Sequence, residues 1–255
     1  MARVSGKIIM ITGAASGLGK ADAWKLAEEG ATVILTDIND EGEALAREIS
    51  EATGQTTRFF HQDVSDEDRW QEIMDQVVDE FGGLDVLVNN AGVAYITTPE
   101  STTLEQFRKT NAVMSEGVFL GCRAAIPAMK RRGGGSIINM SSIASHLGYP
   151  VYFAYTAAKG AVRSMTKSIA AHCQSKGYNI RCNSVHPGAI DTPMVHSSFA
   201  ALGMEPPDPD KPDPSNPAGV GKPEDVANLV LYLASDESRF MNGAELLLDN
   251  ALSIQ

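Results

Sequence analysis

The sequence predicts an α/β fold: a doubly wound parallel sheet of about seven strands with helices on both faces. Three observations carry this expectation. Short runs such as 8–11, 33–35, 86–88 and 137–138 are continuously apolar and rich in β-branched residues, the pattern of strands buried on both faces. Amphipathic helical stretches separate them along the whole chain. The residues able to bind or react (Gly13 to Gly19, Asp37, Asp63, Asn90, Ser142, Pro187 and Gly188) fall at the carboxyl ends of those runs, where open α/β sheets take ligands.

Taken in order, Ile8-Ile9-Met10-Ile11 runs straight into Thr12-Gly13-Ala14-Ala15-Ser16-Gly17-Leu18-Gly19. A helix with Trp24, Leu26 and Ala27 follows, and Gly30 is its expected cap. Strand, glycine turn and helix form the context of a phosphate-binding loop, in which glycines admit a pyrophosphate and the helix N-terminus offers free N–H groups. The spacing is G-x-x-x-G-x-G, and a bare tight turn also suits it. Residues 32–36 form the second strand, with Asp37 at its end. A carboxylate there accepts hydrogen bonds from an adenosine ribose and repels a 2′-phosphate. No Arg or Lys stands at Ser16, Ile38 or Asn39 to offset that repulsion, so NAD is expected over NADP; Asp37 also suits a turn.

A helix over about 41–50 leads to a strand at 57–61 and then Asp63-Val64. Ser65 is the expected N-cap of the next helix, with Asp66, Glu67 and Asp68 in its first turn and Ile73, Met74, Val77, Val78 and Phe81 on its core face. After the strand 86–88, Asn89-Asn90-Ala91-Gly92 offers amides to neighbouring strands or a ligand. Thr103 to Gln106 fits a capping box opening a long helix. Asn111 lies within that helix, and the residues alone favour a solvent-facing position for it. Strand 136–140 delivers Ser141 and Ser142, strand 180–185 ends at Pro187-Gly188, and residues 244–248 form the last strand. The stretch 192–222, with six prolines between 205 and 217, is expected to be a loop or lid, and Pro223 starts the following helix.

The chain has 255 residues, is 43% hydrophobic and carries a net charge of −11, which suits one domain over 1–255 with a sizeable core. Such acidity disfavours nucleic acid and anionic membranes as partners, and no apolar run is expected to span a bilayer. Cys122, Cys173 and Cys182 have no metal-ligand spacing, so no metal site is expected and the thiols suit a reduced, cytoplasmic protein.

Tyr155 and Lys159 stand four residues apart, on one face of a helix. A nearby ammonium favours the phenolate, so Lys159 is expected to lower the Tyr155 pKa from near ~10, and bringing it to neutrality requires about 4 kcal/mol. A tyrosine tuned this way exchanges a proton with an alcohol or carbonyl oxygen, with Ser142 as the hydroxyl that holds that oxygen.

Together these residues resemble the short-chain dehydrogenase/reductase family across essentially the entire chain. Thr12-Gly13-x-x-x-Gly17-x-Gly19, Asn89-Asn90-Ala91-Gly92, Ser142, Tyr155-x-x-x-Lys159 and Asn183-x-Val185-x-Pro187-Gly188 appear in family order. The resemblance implies a Rossmann-type domain and catalytic roles for Asn111, Ser142, Tyr155 and Lys159, with Asn111 holding a relay water. It implies NAD as cofactor, with Asp63 and Val64 at the adenine, Asn90 on the adenosine side, and Ile190 and Thr192 near the nicotinamide amide. The implied binding set also takes in Gly13, Ser16, Gly17, Leu18, Gly19, Asp37, Ile38, Ala91, Gly92, Tyr155, Lys159, Pro187 and Gly188.

Within the family, segments such as Gly134-Gly135-Ser136-Ile137-Ile138-Asn139-Met140 and Ser184-Val185-His186-Pro187 look like bacterial 3β/17β-hydroxysteroid dehydrogenases and dehydrogenases of alicyclic alcohols. The implied substrate is a hydrophobic secondary alcohol or ketone, met by the segments 146–153 and 192–222. A homotetramer is also implied. Asp249-Asn250-Ala251 departs from the Asp-Gly-Gly of many members, at a place where family tetramers pack. Sugar-alcohol or 3-oxoacyl-thioester reduction, and a non-catalytic dinucleotide sensor, are the alternative functions.

Overall fold

In a computed structural model of the chain, which describes residues 2–206, 208–211 and 218–254, seven strands form one sheet in the order β3-β2-β1-β4-β5-β6-β7. They are β1 (Ile8–Thr12), β2 (Thr32–Asp37), β3 (Thr57–His61), β4 (Val86–Asn89), β5 (Gly135–Met140), β6 (Ile180–Pro187) and β7 (Glu245–Leu248). All six pairings are parallel, with Ile8 opposite Thr32 and Ile9 opposite Val86. The order reverses at β1 and β4, and a sheet of this kind opens a crevice there.

The period-2 geometry of a strand divides the core. Ile9 and Ile11 of β1, with Val33 and Leu35 of β2, face α1 (Gly17–Glu28), α2 (Glu41–Thr53) and α8 (Pro223–Ala234). Met10 and Ile34 face the other way, toward α3 (Glu67–Phe81), α5 (Gly117–Arg131) and α6 (Phe153–Ser175), where Trp70, Ile73, Leu120 and Val162 meet them. A strand with both faces buried needs apolar residues at every position, so β1 reads as a run and not as an alternation.

Several boundaries differ from expectation. The helix after β3 is capped by Asp66, whose carboxylate accepts from Arg69 N at 3.1 Å. Ser65 turns back instead, its N and Oγ donating to Asp63 Oδ1 at 2.9 and 2.7 Å. α1 is capped at Glu29, and Gly30 follows it with φ +90°. The capping box at Thr103 is present and opens α4 (Leu104–Asn111), but a π-helical turn, Ala112–Glu116, then separates α4 from α5. By length and composition the stretch Leu104–Arg131 is apolar enough to cross a membrane, contrary to the expectation for this chain. It packs as a core helix, with Leu120, Cys122, Ala125 and Met129 buried in the cluster beneath α3.

The stretch 192–222 begins not as a loop but as α7 (Pro193–Ala201), because Thr192 accepts from Val195 N and Pro193 presets the first turn. Pro206 and Pro209 follow it, whereas Pro207, Pro212, Pro214 and Pro217 lie outside the described residues. The three cysteines are free and buried.

Candidate active site

The glycine loop leaves β1 and turns into α1. Gly13 and Gly17 take φ +63° and +54°, a region that suits glycine. A Cβ on Gly13 would lie 2.8 Å from Ala91 Cα, and one on Gly19 would lie 2.9 Å from Ala14 Cα, so two of the three positions have no room for a side chain. Asn90 ties the loop to β4: its Nδ2 donates to Thr12 O and Gly13 O at 3.0 and 3.1 Å. Thr12 Oγ1 accepts from the backbone N of Asn90 and of Ala91. Ser16, the N-cap of α1, makes no side-chain cap bond, so the helix presents its first N–H groups uncapped.

Asp37 closes the next corner. Its Oδ2 accepts from Ala15 N at 2.9 Å and its Oδ1 from Asn39 N at 3.0 Å. The carboxylate thus shapes a turn and borders the cavity at once, which joins the two roles that the sequence left open. Across from it, the bonds from Ser65 hold the Asp63 carboxyl below its usual range.

These corners enclose a cavity of about 330 Å³ running over the sheet ends. Of the residues expected to bind a cofactor, Gly13, Ser16, Gly17, Leu18, Asp37, Ile38, Asp63 and Val64 line it on the β1–β3 side. Asn90, Ala91 and Gly92 line its middle, and Tyr155, Lys159, Pro187, Gly188, Ile190 and Thr192 its far side. Gly19 is not in the lining; it packs under the loop.

At the far end, β5 delivers Ser142 and α6 delivers Tyr155 and Lys159. Lys159 is buried, and its Nζ donates to Met140 O at 2.6 Å and sits 5.5 Å from the Tyr155 ring centroid. Ser141 Oγ fastens α6 to β5 by donating to Lys159 O at 3.0 Å. Burial pushes Lys159 down to about 8. Burial also pushes the Tyr155 phenol up to about 12; the hydrogen bond with Ser142 opposes the rise and Tyr152 adds to it. The expectation that Lys159 lowers Tyr155 is therefore reversed in this arrangement. The net direction follows from desolvation of the buried phenol, the largest cause; Lys159, whose own charged form is weakened by burial, donates to Met140 O.

Asn111 is half-buried at the end of α4, not solvent-facing, and donates from Nδ2 to Phe107 O at 2.9 Å. It does not line the cavity; Lys109 and Val113 do so from the same helical segment. Tyr149, Tyr152 and Tyr155 form an aromatic ladder at this end, with centroids 6.1 and 5.8 Å apart.

A family model described as enoyl-(acyl carrier protein) reductase matches residues 13–253. An NADP-dependent (R)-specific alcohol dehydrogenase of Lentilactobacillus kefiri is 43% identical, covering 99% of each chain. A 3-beta-hydroxysteroid dehydrogenase of Comamonas testosteroni is 40% identical over 98% of this chain and 97% of its own. The crystal structure of a short-chain type dehydrogenase/reductase from Mycobacterium marinum superposes with a TM-score of 0.89 at 34% identity, covering 99% of this chain and 97% of the other. The chain belongs to the short-chain dehydrogenase/reductase family.

It is thus an oxidoreductase of a family that uses a nicotinamide dinucleotide. Its relatives are secondary alcohol dehydrogenases acting on alicyclic alcohols and hydroxysteroids. The glycine cradle fits such a cofactor, since side chains at Gly13 and Gly19 would close the loop and the α1 N-terminus is left uncapped. Sequence reasoning missed Gln62, Val93, Lys109, Val113, Met140 and Ser141 of this short-chain dehydrogenase/reductase cavity, whereas residues 193–195 belong to the segment expected on the substrate side. Met140 and Ser141 flank Ser142 and could have been inferred. Lys109 and Val113 carry no local signal, because only the packing of a helix across the sheet ends brings them there.

Proposed function

We propose that this protein is an NAD-dependent secondary alcohol dehydrogenase that interconverts a hydroxysteroid or another alicyclic alcohol with its ketone. The observation that carries the proposal is the meeting of Ser142, Tyr155 and Lys159 in one cavity with the glycine loop and Asp37. A bound dinucleotide supplies the hydride acceptor in oxidation and the donor in reduction. Ser142 Oγ holds the substrate oxygen. Tyr155 Oη takes the hydroxyl proton in oxidation and returns it in reduction. Lys159, fixed at Met140 O, holds positive charge near the phenol and favours its ionised form when substrate reacts. Asn111, at the start of the π turn, is proposed to pass the proton from Lys159 toward solvent through water.

NAD is favoured because Asp37 puts a carboxylate beside Ile38, with no cation at Ser16, Ile38 or Asn39 to receive a 2′-phosphate. NADP is the second reading, since the Lentilactobacillus kefiri relative is NADP-dependent. Burial of three free thiols supports a cytoplasmic setting, and small residues along α6 such as Gly160 and Ala161, which allow close approach of another subunit, support a homotetramer.

Absorbance of the reduced coenzyme, followed over a panel of cyclic alcohols, steroids and polyols with each coenzyme, tests the proposal. Tyr155→Phe is expected to lose nearly all turnover while still binding NADH; near-normal turnover would refute the role of Tyr155. Asp37→Ala is expected to lower the preference for NAD over NADP by at least about tenfold; an unchanged ratio would reduce Asp37 to a turn residue.

A further inference from the structure

The β5–β6 ladder ends at Ser141, whose N donates to Val185 O at 2.8 Å. Ser142 follows immediately, outside the strand, and its orientation is not set by the sheet. Side chains set it. Ser145 Oγ donates to Ser142 O at 2.7 Å, and His186 Nδ1 lies 3.2 Å from the same carbonyl and 2.9 Å from Ser145 Oγ. His186 Nε2 lies 2.8 Å from Ser184 Oγ. A carbonyl only accepts, so a bond to Ser142 places the proton on Nδ1; Nε2 then accepts the Ser184 hydroxyl hydrogen, for which Ala244 O at 3.4 Å is the longer alternative acceptor. The Ser142 hydroxyl is held by the same short turn, accepting from Ala144 N at 3.1 Å.

A second tier holds the first. His146 stands edge-on to His186, with ring centroids 4.7 Å apart and its Nε2 3.2 Å from His186 Nδ1 and 3.4 Å from Glu245 Oε2. Glu245, on β7, pairs with Arg163 at 2.8 Å and with Lys167. Arg163 also donates to Ser145 O at 3.1 Å, so α6 and β7 both grip the turn that follows Ser142. The ligand atoms of His146, His186 and Glu245 lie within 4.8 Å of one another, a spacing that a metal ion could use. Two cations already neutralise the carboxylate and His186 Nδ1 is engaged as a donor, so the cluster acts as a hydrogen-bonded clamp.

We propose that His186 is a positioning residue for the dehydrogenase reaction: its neutral Nδ1–H ring holds the Ser142 carbonyl and thereby aims the Ser142 hydroxyl at the substrate oxygen. The inference rests on the function proposed above. His186 is fully buried, and that burial, together with His146 and Arg163, holds it down at about 4 against the opposing pull of the Ser142 carbonyl and Glu245, so it stays neutral near pH 7.

The test compares His186→Phe with His186→Asn, whose amide N–H takes the place of Nδ1–H. The Phe variant is expected to lose roughly 10- to 100-fold in kcat with NADH affinity within about twofold. Ser142 lowers Tyr155, while burial and Tyr152 raise it and Lys159 stands beside it. A misaimed Ser142 therefore moves the acid limb of the oxidation profile to higher pH. The Asn variant is expected to recover most of both effects. Nitrogen NMR of histidine-labelled wild type is expected to show the His186 ring in its neutral Nδ1–H form from pH 8 to pH 5, identified by its loss in His186→Phe or, should that variant not fold, in His186→Asn.

An Nε2–H tautomer, a ring titrating near 6, or a Phe variant with kcat and pH limb unchanged overturns the proposal. So does a Phe variant that loses kcat, coenzyme binding and melting temperature together without rescue by Asn. Absence of turnover in wild type with every alcohol refutes the function instead, and the NMR arm then still decides the contact at Ser142.

Discussion

Asp22 is the residue whose replacement is expected to strengthen the fold. It lies in α1, fully buried, and neither carboxylate oxygen has a hydrogen-bond partner among the described residues. Burial alone pushes its carboxyl well above the ordinary value. Leaving a buried polar group unsatisfied costs about 1–3 kcal/mol. Asp22→Ala removes that cost and adds about 0.6 kcal/mol of helix propensity. It loses roughly 20 Å³ of side chain, worth about 0.5 kcal/mol at ~24 cal/mol per Å³. The expected net gain is about 1–3 kcal/mol, or several degrees in melting temperature for a chain of this size.

The effect has a pH signature. The folded-state pKa is raised above the unfolded value of ~3.9, so the folded form binds the proton more tightly. Below the unfolded pKa Asp22 costs only the burial of an unpaired neutral carboxyl, and wild-type stability falls further as pH rises from there toward the folded pKa. The advantage of Asp22→Ala should therefore grow between pH 5 and pH 8. Urea unfolding of both proteins at those two pH values measures it. An Asp22→Ala protein that is less stable at pH 8 would show that the carboxylate is ionised and paired, and the burial argument would fail.

Two further substitutions probe the backbone. Asn250 and Ala251 take φ +45° and +67°, a left-handed region that suits glycine. Relief of about 1–2 kcal/mol of left-handed strain, less about 0.4–1 for the added freedom of unfolded glycine, predicts that Ala251→Gly stabilises by up to about 1.6 kcal/mol, with a central value of ~0.8; a lowered urea midpoint would show that the strain is absent. A Cβ on Gly121 would lie 2.5 Å from Asn89 Oδ1 and 2.8 Å from the Trp70 ring. Trp70 Nε1 donates to Val64 O at 2.8 Å, so Gly121→Ala should cost about 1–3 kcal/mol and also weaken NADH binding at the Val64 wall; calorimetric titration that finds wild-type affinity in a destabilised variant would break the link between the two.

The elements were legible where local chemistry is decisive. β1 and α8 begin where the apolar run from Ile8 and Pro223 indicate, and β3 covers the expected 57–61. Thr103 and Gln106 form the capping box that their spacing implies. Ser65 and Asp66 show the limit: both are good caps, and Ser65 was lost to Asp63 through a local turn that composition does not rank. Asn111 shows another, since the amide that favours exposure on helix propensity is half-buried where the π turn begins. The upward direction at Tyr155 is a third, because an i, i+4 spacing reveals a neighbouring ammonium and not the burial that sets the sign.

The sequence by itself determined the seven-stranded α/β plan through alternating patterns along the chain, the glycine loop through residues within a few positions of one another, and the Ser142, Tyr155 and Lys159 candidates through their order in the family pattern. Tertiary structure alone decided that Lys109 and Val113 border the cavity, that Lys159 is spent on Met140, and that His146, His186 and Glu245 converge behind Ser142. Those contacts join separate strands and helices, and burial, which sets the sign of every strong pKa shift in the site, is a property of the packed sheet and not of any stretch of chain.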